Sequence, residues 1–134
     1  MSYDLILRQA LKLHDEGRLD EAERLYRQIL ETAPDHPVVL NLLGLVAQSK
    51  GLHEQAVSFF ARAVEQNPQS AEYHFNLAWS EERRGKAAEA IKAYLRALQL
   101  QPGIKEARNA LGNLYAGLGQ TERAREQYLS LIHI

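Results

Sequence analysis

The side chains able to do chemistry are scattered rather than gathered. Five histidines occur, His14, His36, His53, His74 and His133, and no two have the spacing of a metal-ligand pair. The acidic pairs Asp20-Glu21 and Glu81-Glu82 are adjacent, so on a helix they point in different directions and read as solvated faces. Arg83, Arg84 and Lys86 form a small basic cluster, the placement that a helix C-terminus favours. Gly85-Lys86 is followed by Ala87, and no glycine precedes Gly85 by five residues, so the stretch is not a phosphate-binding loop. Neither a nucleophile elbow nor a zinc-protease helix motif is present. The pattern predicts no catalytic residue, no metal site and no cofactor.

The chemistry that remains is recognition. One set of residues recurs along the chain at the spacing of a helical stripe: Leu7, Leu11 and His14; Asn41, Leu45 and Gln48; Phe75, Trp79 and Glu82; Asn109, Asn113 and Ala116. It mixes apolar residues with asparagines, which can bond a peptide backbone. Trp79 is the sole tryptophan. Exposed aromatic anchors of that kind are typical interface hot spots.

A strict period positions these stripes. Gly17, Gly51, Gly85 and Gly119 are 34 residues apart, and Pro34, Pro68 and Pro102 keep the same interval. Each period holds two apolar patterns of helical spacing. In the second period these are Leu40, Leu43, Gly44 and Ala47, then Ala56, Val57, Phe60, Ala63 and Val64. The glycine suits the left-handed residue that closes a first helix, and the proline suits the end of a second. Small residues Ala10, Gly44, Ala78 and Gly112 alternate with Ala22, Ala56, Ala90 and Ala124. Four residues after each of the latter stands a ring: Tyr26, Phe60, Tyr94 and Tyr128. Small is expected to face large where two helices cross. Pro37 fits a first helical position and Ser70 an N-cap.

In these positions the chain resembles the tetratricopeptide repeat (TPR) family. The likeness departs at Gln9, where Leu43, Leu77 and Leu111 stand elsewhere. It departs also at Ile6, Leu40, His74 and Arg108, which hold the place of the usual tryptophan. The resemblance implies an all-α fold: a right-handed superhelical solenoid of about eight helices in antiparallel pairs. Residues 1–134 would form a single array of units near 3–36, 37–70, 71–104 and 105–134, the last incomplete.

The resemblance also implies a function. In the family the recurrent stripe lines a concave groove that receives a peptide, and it is not the stripe that meets the unit's own second helix. Here the groove would comprise Leu7, Leu11, Asn41, Leu45, Glu72, Phe75, Asn76, Trp79, Glu106, Asn109 and Asn113. The expected partner is a peptide or protein. The basic carboxylate clamp of chaperone-tail binders is missing, with only Asn76 in its pattern. Asn76 also matches the asparagine ladder of O-linked N-acetylglucosamine transferases, but Asn41 and Asn109 sit one place earlier in their units. Two functions are therefore carried: a non-catalytic interaction module, and the repeat arm of a larger glycosyltransferase-like enzyme.

Composition fits either function. Net charge is −1, which gives no bulk attraction to nucleic acid or membrane. Charged residues make up 25% of the chain and hydrophobic ones 46%, the balance of an ordinary soluble protein. No cysteine is present, which excludes disulfides. Leu5-Ile6-Leu7 is followed by Arg8 and lacks a basic head, so it is not a signal peptide. A cytoplasmic location is expected. The C-terminal run Leu129–Ile134 ends on an apolar face equivalent to Leu30, Val64 and Leu98. That face predicts self-association through the last helix or continuation into a further repeat.

Overall fold

The computed structural model describes residues 3–120 together with Glu122, Arg123 and Glu126. Seven helices are found among them: α1 (Tyr3–Asp15), α2 (Leu19–Thr32), α3 (Pro37–Ser49), α4 (His53–Gln66), α5 (Ala71–Arg83), α6 (Ala87–Leu100) and α7 (Lys105–Gly117). No strand occurs among the described residues. The expected eighth helix, with Ala124, Tyr128, Ile132 and the self-association assigned to it, lies outside the described residues. The chain divides into two compact units, Met1–Pro68 and Gln69–Ile134. The division falls in the linker between the second and third repeats.

The turn after each first helix is built the same way four times. Gly17, Gly51, Gly85 and Gly119 have φ of 79°, 76°, 78° and 77°, a region from which a Cβ is normally excluded. In the first turn the Arg18 N–H donates to the Leu13 carbonyl at 2.9 Å, and the Gly17 N–H donates to the His14 carbonyl at 3.0 Å. This is the Schellman closure, which satisfies carbonyls that a helix end leaves bare. Leu52, Lys86 and Gln120 repeat the longer bond onto Ala47, Glu81 and Tyr115. Arg18 also starts the next helix, because its carbonyl accepts from Ala22 N–H. One residue thus ends one helix and opens another, and the chain must reverse direction.

Second helices end differently. Ala33, Asn67 and Gln101 follow α2, α4 and α6 and leave helical geometry, with φ from −133° to −143° and ψ from 74° to 93°. Each precedes a proline, whose ring disfavours the helical region for its neighbour. Pro37 opens α3, as expected, and the Ser70 hydroxyl accepts the Tyr73 N–H at 3.2 Å. His36 was not expected as a cap, yet its Nδ1 accepts from Val39 N–H at 3.4 Å.

Each unit buries its own core. In unit 1, Ala10, Ala22, Tyr26, Ile29, Val39, Leu43 and Val46 pack together, with Leu7, Leu25, Leu30 and Phe59 against them. In unit 2 the core is Ala78, Ala90, Ala93, Tyr94, Leu98, Ala107, Leu111 and Tyr115, flanked by Phe75, Leu77 and Ile104. Small does face large: a Cβ on Gly44 would come within 2.4 Å of the Phe60 ring. Across α2 and α3, Lys50 at the end of α3 bonds both Asp20 and Glu23 of α2.

Candidate functional site

The recurrent stripe lies on α1, α3, α5 and α7, and the structure splits it into packing and surface portions. In unit 1, Leu7 is partly buried against the core and Leu11 is 37% exposed. Asn41 is only 5% exposed, and Leu45 is partly buried. In unit 2, Glu72 stands exposed at the start of α5, Phe75, Asn76 and Trp79 are partly exposed, and Glu106, Asn109 and Asn113 are exposed along α7.

The stripe is not separate from the unit's own second helix, and here the expectation is corrected. The Phe75 ring lies edge-on to Tyr94 of α6, with centroids 5.7 Å apart. The Tyr94 hydroxyl donates to Glu82 Oε1 at 2.8 Å. Tyr26 of α2 and His14 of α1 share a hydrogen bond of 2.9 Å in the equivalent place. The physical reason is angular. Adjacent stripes on a helix are only about 100° apart, within reach of a tyrosine ring. The packing ring therefore takes both ends of the stripe, positions 75 and 82, and leaves Trp79 between them. His14 and Glu82, each twelve residues before its tyrosine, were the signal in the sequence, and it was missed.

Trp79 has a partner that spacing did not suggest. The Arg83 guanidinium lies over its ring, 4.5 Å from the centroid. The two are one helical turn apart, so α5 itself holds the cation on the indole face. Arg84, beside it, pairs instead with Glu81 at 2.9 Å.

Buried phenols dominate the electrostatics of the packing portion. Burial pushes the Tyr26 hydroxyl up to about 12, helped by the nearby charge of Asp15. Burial also pushes Tyr94 upward, and the hydrogen bond to Glu82 adds to the rise. Both hydroxyls are therefore neutral structural groups. Among the described residues, no three His, Cys, Asp or Glu side chains gather as metal ligands. No helix among them is long and apolar enough to cross a membrane.

The repeated helix pair finds its match in known proteins. A tetratricopeptide repeat profile matches residues 13–78, and a second matches residues 60–104 and 75–133. The chain belongs to the tetratricopeptide repeat family. Human superkiller complex protein 3 is 31% identical over 130 residues, covering 92% of this chain. The chain spans only 8% of that relative's length. A crystal structure of MamA protein superposes with a TM-score of 0.93 at 26% identity, over 98% of this chain and 72% of that one. A mutant O-GlcNAc transferase of Thermobaculum terrenum matches at 29% identity and a TM-score of 0.76, over 84% of this chain and 22% of the enzyme. These likenesses establish the TPR fold, and that fold supports a protein-interaction scaffold.

Proposed function

We propose that this TPR chain is a non-catalytic interaction module whose first-helix stripes hold a peptide or protein partner in the concave groove typical of the family. The observation that carries the proposal is Trp79, a large aromatic left partly open on α5 while Tyr26, Phe60 and Tyr94 of the second helices are buried. In unit 2 the contacts would come from Glu72, Phe75, Asn76, Trp79, Glu106, Asn109 and Asn113. In unit 1 the corresponding stripe comprises Leu7, Leu11 and Leu45, with Asn41 buried. Phe75 braces the strip by resting on Tyr94. Apolar area supplies affinity, and the exposed amides of Asn109 and Asn113 can bond a peptide backbone.

The test is capture of partners from the source cell with this chain and with Trp79→Ala. A native partner should lose about 2 kcal/mol or more of binding, as aromatic hot spots do. A partner indifferent to Trp79, Asn76 and Asn113 together would place the site elsewhere.

A second reading is supported by the O-GlcNAc transferase likeness: the chain serves as the repeat arm of a larger enzyme and presents substrates to a separate catalytic domain. The full reading frame tests it. A catalytic domain in that frame would favour the arm, and its absence the free-standing module.

A further inference from the structure

We infer that the unit 2 strip is charge-zoned and selects an extended peptide carrying a basic residue, an apolar residue and an acidic residue in that order along α5 and α7. The inference rests on the groove reading and goes beyond it by naming the partner's chemistry. A basic-apolar ligand would be the simpler guess from Glu72 and Glu106 alone. Arg83 changes it.

The zoning follows from element direction. α5 and α7 are each joined to α6 by a short reversal, so they run the same way. Their first turns therefore share one end of unit 2. Glu72 and Glu106 lie in those first turns, both exposed. Arg83 closes α5 at the other end, and its guanidinium rests on Trp79. The neighbouring charges are already used: Arg84 pairs with Glu81, Glu82 accepts from Tyr94, and Arg108 bonds the Pro102 carbonyl at 3.0 Å. Lys105 lies about 100° around α7 from Glu106, off the strip. Among the described residues, no ion pair engages Glu72, Glu106 or Arg83. These three charges remain for a ligand.

Acids at helix starts and bases at helix ends also complement the helix dipole. That preference explains the types of residue. It does not explain a cation laid on the one open indole of the strip. With that face covered, a cationic ligand group meets Arg83 as a like charge. A carboxylate there meets a guanidinium held in place by the ring.

Length fixes the motif. Glu72 to Arg83 is eleven residues of helix, about 16 Å. An extended peptide at about 3.3 Å per residue covers this in about five residues. Trp79 is seven residues from Glu72, which places the apolar side chain about three residues from the basic one.

Four fluorescein-labelled hexapeptides test the inference by anisotropy: Lys-Ser-Ser-Leu-Ser-Glu, a dibasic form with Lys at both ends, a diacidic form with Glu at both ends, and a neutral form with Ser at both. The expected result is tightest binding of the mixed-charge peptide, by about fivefold for each matched charge. Glu106→Lys should weaken peptides that carry the first lysine and spare the others. Arg83→Glu should weaken peptides that end in glutamate and favour the dibasic form. Far-UV circular dichroism confirms that each variant is folded, and Glu106→Gln and Arg83→Gln provide milder substitutions if a charge reversal unfolds the unit. Tightest binding of the dibasic peptide, or indifference to Arg83, overturns the zoning, whereas loss of all four on Trp79→Ala keeps the groove. Indifference of all four to Trp79→Ala overturns the groove reading itself. No binding by any of the four overturns the inference at this motif length.

Discussion

At the scale of single residues, the fit between small side chains and rings is set pair by pair. Phe60 is fully buried and lies where a Cβ on Gly44 would fall, 2.4 Å from its nearest ring carbon. Alanine is the better helix former by about 1 kcal/mol. Overpacking a rigid core costs roughly 1–3 kcal/mol. The ring has no room to give, so Gly44→Ala should lower stability by about 1–2 kcal/mol in urea denaturation. Combining it with Phe60→Leu should cost less than the two changes summed. An unchanged midpoint for Gly44→Ala would show that the ring can slide. This close approach was legible in the sequence as a small residue facing a large one. The tyrosine hydroxyls were not, because spacing reveals which face a residue occupies and says little about where a ring ends. For the same reason the Arg83–Trp79 stack was missed, since one turn of separation permits a contact without requiring it.

At the scale of elements, the period was readable because its punctuation is backbone chemistry. A glycine at φ near +78° and a residue held extended before a proline are local demands, met by residue type whatever packs around them. The caps were less readable. Ser70 is a good cap by type, but His36 does the same work at α3, and α2, α4 and α6 begin with no side-chain cap bond at all. Their first residues are committed to the Schellman bond of the preceding helix, which leaves the turn to glycine alone. No atom lies within 4 Å of a Cβ added at Gly85, so substitution there tests backbone strain and nothing else. Gly85→Ala should cost about 1–2 kcal/mol. Gly85→Asn should cost less, because asparagine tolerates the left-handed region. Equal losses for the two, measured by thermal denaturation, would show that the turn relaxes out of that conformation.

At the scale of the whole molecule, Tyr26 in unit 1 and Tyr94 in unit 2 are buried phenols bonded across a helix pair, and they set an alkaline limit on folding. The Tyr26 hydroxyl, pushed up to about 12, binds its proton more tightly in the folded chain than in the unfolded one, where the ordinary value is 10.0. Tyr94 shifts in the same direction. Between those values the folded state holds more protons than the unfolded state, so stability falls as pH rises. The contribution is fully present below pH 10 and is lost on passing toward 12. After allowance for screening, Tyr26 alone accounts for on the order of 1–2 kcal/mol. The acid side behaves oppositely and concerns unit 1 alone. The Lys50 hydrogen bond holds Asp20 below its ordinary 3.8. Burial of Glu23 opposes the bonds from Lys50 and Arg27, yet those bonds prevail and hold it below 4.5. Stability from this pair is present above those values and fades as pH falls beneath them. Far-UV circular dichroism across pH 8–12 should therefore show a steep loss of helix above pH 10. Tyr26→Phe with Tyr94→Phe should flatten the alkaline limb and leave the acid limb unchanged. The substitution also strips His14 and Glu82 of their partners, so it lowers stability at neutral pH, and the slope above pH 10 carries the decision rather than the absolute value. A limb as steep in the double variant as in the parent would trace alkaline unfolding to other groups, among them Tyr73, pushed up by burial, and Lys50, pushed up by its bonds to Asp20 and Glu23.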